Sequence, residues 1–136
     1  MTSGSFSLEA LLAQLPPPLF DPEPLQQCVE TLEEEQGIAT LSQLVELYLK
    51  DAPTYRDQVF QGIAEENDSL LRQAAHTLKS SSRSLGAVGL GKVCEAMEKN
   101  AIAKRFAIAS LQKGKFAKTF DESIKILTQF SGNLRQ

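Results

Sequence analysis

At 136 residues, 42% of them hydrophobic, the chain fits one domain with a proper core. A formal net charge of −3 and a pI near 5.2, with no basic run interleaved with aromatics, leave no electrostatic footprint for a nucleic acid. There is no run of about 18 apolar residues, and no basic segment leading into an apolar core and a small-residue cleavage site, so neither a membrane partner nor a secretory signal is expected and the cytoplasm is the default compartment.

Residues 1–20 read as a flexible N-terminal tail or linker: Ser and Gly, a Leu8-Leu11-Leu12-Leu15 cluster that could form a short docking helix, then Pro16-Pro17-Pro18, which stops that cluster from running on. The domain proper is expected over residues 21–136. Asp21-Pro22 marks a helix start, with Leu25, Cys28, Val29 and Leu32 as its buried stripe and Glu33-Glu34-Glu35-Gln36-Gly37 as its close. Thr40 is placed to cap a longer helix whose apolar residues from Leu41 to Ile63 hold helical period, with Pro53 kinking rather than breaking it. Asn67 or Asp68 caps the next helix and Gly86 ends it. A further helix from about Gly89 turns Leu90, Val93, Cys94, Met97 and Ala101 inward. The last begins between Phe106 and Lys115 and carries Phe116, Phe120, Ile124, Leu127 and Phe130 on one face. No alternating strand pattern intervenes. Long amphipathic helices with short connections predict an all-α, antiparallel up-and-down four-helix bundle with an additional N-terminal helix. Cys28 and Cys94 fall at apolar positions, where free buried thiols are expected.

The chain has one histidine, His76. At 100° per residue, Leu71, Ala74, Ala75, Leu78, Ser82 and Leu85 share one face of its helix, and Arg72, His76, Lys79, Ser80 and Arg83 share the opposite one. Core packing is therefore excluded as its role. Three cations flank the ring, Arg72 and Lys79 within one turn and Arg83 two turns along, which disfavours a further positive charge on it and favours the neutral nucleophile. The same cations suit a phosphoryl group added to it. On geometry alone, an incidental solvated histidine accounts for the position equally well.

Other motifs are weaker. Gly86-Ala87-Val88-Gly89-Leu90-Gly91-Lys92 matches the G-x-x-x-x-G-K core of a phosphate-binding loop, but Val93 stands where Ser or Thr must hold Mg²⁺ and a helix rather than a strand precedes it. Those glycines read better as a helix-to-helix turn. Ser80-Ser81-Ser82 lacks an acidic residue on its face to orient a base, and one His with two distant cysteines makes no zinc constellation.

The run His76-Thr77-Leu78-Lys79-Ser80-Ser81-Ser82, then Leu85-Gly86-Ala87, then Leu90, Cys94, Met97 and Glu98, resembles the H-x-L-K-G-S-S, L-G-A, L-x-x-x-C-x-x-L-E pattern of histidine-containing phosphotransfer (HPt) domains. The helical layout from about residue 22 to 131 agrees with that family, and residues 1–20 lie outside the resemblance. It implies a phosphocarrier of multistep phosphorelays, in which His76 accepts a phosphoryl group from a receiver-domain aspartate, including that of a hybrid histidine kinase, and passes it to another receiver. Lys79 matches the family's basic residue beside the phosphate. Arg72, Gln73, Ser80 and Arg83 are added from the helical wheel as surface that a docked receiver meets. The resemblance implies no cofactor in this chain, with Mg²⁺ on the receiver, no autonomous kinase activity in the absence of an ATP motif, and a working monomer. Ser80 departs from the pattern, since many members have Gly there, and narrows the partner's approach. The alternative reading is a non-catalytic helical module that binds a response regulator without phosphotransfer.

Overall fold

The computed structural model describes residues 7–135 and contains, among them, six helices and no strand: α1 (Leu8–Leu12), α2 (Glu23–Val29), α3 (Glu34–Ala64), α4 (Asp68–Ser84), α5 (Val88–Ile102) and α6 (Phe106–Leu134). Helix α3 packs on α4 and α6, α4 on α5, and α5 on α6, so the four long helices close into a ring in chain order. The expected up-and-down bundle is the observed one. Its interior is built from single apolar faces, among them Leu41, Val45 and Val59 of α3, Leu71 and Leu78 of α4, Leu90 and Cys94 of α5, and Phe116, Phe120 and Leu127 of α6. Pro53 lies inside α3, and the helix continues through it.

Two expectations are corrected at the N-terminal end. Residues 1–6 lie outside the described residues, but residues 7–20 are not a tail. Ser7 caps α1, and Leu11, Leu12, Leu15 and Phe20 are each no more than 3% exposed, sealing the end of the core. Four large apolar side chains within ten residues have more to gain from burial than from solvent, and the bundle end gives them a partner that the sequence alone does not display.

The second correction concerns the acidic run. Helix α2 ends at Val29, and Glu34 and Glu35 open α3 instead of closing α2. Carboxylates at a helix start face its positive end, so the run favours a beginning at least as well as an end. Gly37, read as a terminator, sits in the first turns of α3, where a Cβ would come within 3.1 Å of Leu8 and 3.3 Å of Val29. It is there for close packing of α1 and α2. Cys28, on the outer side of α2, and Leu32, beyond its end, are both exposed, against the buried stripe and the buried thiol expected for them.

Candidate active site around His76

Helix α4 starts where Asn67 Oδ1 accepts the Leu70 N–H at 3.1 Å. It stops at Gly86, whose φ of +80° only glycine adopts without strain. Between them Leu71, Ala74, Ala75, Leu78 and Ser82 are buried, while Arg72, Gln73, His76, Ser80 and Arg83 are exposed. The helical phase read from the sequence holds, and the His76 side chain is 59% exposed.

The sequence reading missed what lies across the groove. Glu98 of α5 places Oε2 2.9 Å from His76 Nδ1 and Oε1 2.6 Å from Lys79 Nζ, so one carboxylate bridges both. Burial works against its charge, but the hydrogen bonds from Lys79 and His76 outweigh it and hold the Glu98 carboxyl below the usual carboxylate range. An ionised carboxylate can only accept, so Nδ1 carries the proton and donates it. In the neutral ring the lone pair is then on Nε2, on the solvent side. In the sequence Glu98 figures only as the last residue of the resembling motif. Its contact with His76 depends on the register between two helices, which periodicity within one helix does not encode.

The three flanking cations are not equivalent. Lys79 is spoken for by Glu98, and Arg83 Nη2 lies 3.3 Å from Glu95 Oε1. Arg72 makes no ion pair among the described residues. It lines an open concavity of about 390 Å³ together with Gln73, His76, Thr77 and Glu98. The sequence-based picture of three uncompensated positive charges therefore reduces to one free guanidinium beside the ring, with a carboxylate behind it.

Ser81, Ser82 and Ser84 bond away from His76, and the Cys94 thiol is buried. Ser81 Oγ donates to the Thr77 carbonyl at 3.1 Å and Ser84 Oγ to the Ser80 carbonyl at 3.0 Å, so neither is bonded to His76. Ser82 is fully buried and its Oγ lies 2.7 Å from Tyr48 Oη, tying α4 to α3 beneath the site. Burial raises the Tyr48 phenol well above its ordinary value and pushes the Cys94 thiol up to about 12. Among the described residues no group of His, Cys, Asp and Glu side chains is arranged to hold a metal ion. The glycine run starting at Gly86 is a turn into α5, with no strand before it.

On the other flank of α4 a groove of about 300 Å³ runs against α3 beside Thr77 and Ser81. Its rim carries Leu44 and Leu47, which are 38% and 57% exposed. His76 thus stands between a polar concavity and an apolar groove.

Comparison with known proteins agrees with this arrangement. No curated protein matches the sequence. The crystal structure of histidine-containing phosphotransfer protein B (HptB) from Pseudomonas aeruginosa PAO1 superposes with a TM-score of 0.74 over 86% of this chain and 97% of that one. At 20% identity this likeness speaks for the fold. The family model for the Hpt domain matches residues 43–125, which include α4, α5, His76 and Glu98. Because that match spans more than half of the chain and includes the exposed histidine and the carboxylate bonded to it, the chain belongs to the histidine-containing phosphotransfer (HPt) domain family.

Proposed function

We propose that this chain is a phosphocarrier that takes a phosphoryl group onto Nε2 of His76 from the aspartyl phosphate of a receiver domain and hands it to the aspartate of another. The observation that carries the reading is the Nδ1 to Glu98 hydrogen bond of 2.9 Å, which leaves Nε2 as the free nucleophile on an exposed helix face.

In the transfer the Nε2 lone pair forms the new N–P bond as the aspartyl O–P bond breaks and the carboxylate departs with its electron pair. Positive charge that develops on the ring is met through Nδ1–H by Glu98. Negative charge on the equatorial phosphoryl oxygens is met by Arg72 across the concavity and by Lys79, whose ammonium stays near the ring through its bond to Glu98. Phosphoryl transfer of this kind depends chiefly on positioning and charge stabilisation, which a rigid helix supplies. Mg²⁺ and the reacting aspartate come with the receiver. The apolar rim of Leu44 and Leu47 beside Thr77 and Ser81 offers a docking area that brings the receiver's site over His76, with Gln73, Ser80 and Arg83 as polar surroundings.

Incubation with a ³²P-phosphorylated receiver tests the proposal. The parent chain should take up acid-labile, alkali-stable label, and His76→Gln should take up none. Equal uptake by the two would end the reading. Receiver binding without any uptake would leave only a docking module.

A further inference from the structure

Against the expectation of no basic run among aromatics, Lys99 to Phe120 holds six cations and no carboxylate, although the whole chain has 17 acids against 14 Lys and Arg, and its Phe106, Phe116 and Phe120 pack on or in the core and offer no stacking surface to a nucleic acid. The six are Lys99, Lys104, Arg105, Lys113, Lys115 and Lys118, all exposed. None of them forms an ion pair among the described residues, whereas Arg56, Lys79, Arg83 and Arg135 each do.

The fold gathers Lys99, Lys115 and Lys118 on one side, beside Lys92. Ile108, Leu111, Lys115 and Lys118 follow one another at spacings of three and four, which sets them along one outward stripe of α6, and Lys104 is exposed in the turn before it. Leu111 is 85% exposed and Ile108 40%. Beside this stripe, Lys92 and Lys115 flank the shallow groove between α5 and α6, and Lys99 stands two turns along α5 from Lys92. Helix α5 lies between this face and α4, so a partner on it leaves His76 free.

We propose that the α5–α6 face binds an anionic lipid surface, with the lysine ammonium groups on the headgroup phosphates and Leu111 and Ile108 at the acyl boundary. The composition favours lipid over an acidic protein. Protein interfaces are depleted in Lys and rely on aromatic and Arg anchors, whereas this stripe is lysine and aliphatic side chain with no exposed aromatic. Lysine stems lie along apolar surface while their heads reach the phosphates. Among the described residues no helix is long and apolar enough to cross a membrane, so the binding proposed is a lying-on and not a spanning.

Co-sedimentation with vesicles decides the matter. The full chain should pellet with phosphatidylcholine vesicles containing about a third phosphatidylglycerol at low salt and remain free with phosphatidylcholine alone. Binding should be lost at about 0.5 M salt, where the screening length falls to roughly 4 Å. Each lysine is worth roughly fivefold in partitioning, so Lys115→Glu with Lys118→Glu should weaken binding by more than tenfold. Leu111→Gln should weaken it several-fold, and Lys50→Glu on α3 should leave it near the parent's. Label uptake at His76 should stay at the parent level in all of them. No pelleting of the parent on anionic vesicles, equal pelleting on neutral ones, or indifference to the double reversal overturns the proposal. Binding of poly-glutamate without vesicle binding overturns it in favour of an acidic protein partner.

Discussion

Nδ1 of His76 has one protein partner, and that partner governs what Nε2 can do. Replacing Glu98 by Gln keeps the shape but lets an amide N–H face Nδ1, which favours the wrong tautomer and frees Lys79. We expect the initial rate of His76 labelling to fall by about tenfold or more, the usual scale for losing a group that orients a functional imidazole. A rate within twofold of the parent would show that Glu98 does not select the tautomer. The same residue carries a pH signature. Its carboxyl is held below the ordinary value of 4.5 in the folded chain, so the unfolded chain binds that proton more tightly. Its stabilisation is complete above the ordinary carboxylate range and fades as the pH falls through the lowered folded value. The Tm gap between the parent and Glu98→Gln should therefore be widest near pH 7 and close toward pH 3. At this scale the sequence was half legible. The exposure of His76 and the burial of Ser82 follow from one helix's period, but Glu98 and the pairing of Lys79 and Arg83 come from a second helix.

Among the elements, α4 is the one most firmly seated, and Tyr48 is part of the reason. Its hydroxyl and that of Ser82 satisfy each other in the interior at 2.7 Å. Tyr48→Phe leaves Ser82 Oγ buried without a partner, at a cost of about 1–2 kcal/mol. The urea midpoint should drop accordingly with little change in slope, and an unchanged midpoint would remove the pair from the account of stability. Element boundaries were legible wherever capping chemistry was unambiguous, as at Asn67 and Gly86. They failed between α2 and α3, because an acidic run followed by Gly reads as an ending when the packing of Gly37 against Leu8 and Val29 is not yet known.

For the whole molecule, the ring of four helices follows from amphipathic patterning and short connections, and the resemblance around His76 pointed to the same fold. What could not be read was the N-terminal closure. A leucine cluster before a proline run has no visible partner until the bundle end exists. Deletion of residues 1–20 removes Leu11, Leu12, Leu15 and Phe20 from the core. At roughly 1.5–3 kcal/mol for each of the four large apolar side chains, the loss of burial should be about 6–12 kcal/mol before the chain entropy regained is set against it. A fall in Tm on the order of 10 °C or more should follow. A truncated chain that melts with the parent would return the segment to the status of a tail.

The turn at Gly86 has a consequence for how the site can change. His76 is on α4 and the Glu98 carboxylate that meets its Nδ1 on α5, and only residues 85–87 separate the two helices. That turn is fastened from outside, with the Asp21 N–H donating to the Gly86 carbonyl at 2.8 Å and the Ala87 N–H to the Ser82 carbonyl at 2.8 Å. The two helices therefore act as a combination lock with one setting. One extra residue in the turn would displace these bonds and with them the register that sets Glu98 on the imidazole. The length of a three-residue connection, which itself bears no reactive group, is as much a part of the site as the histidine.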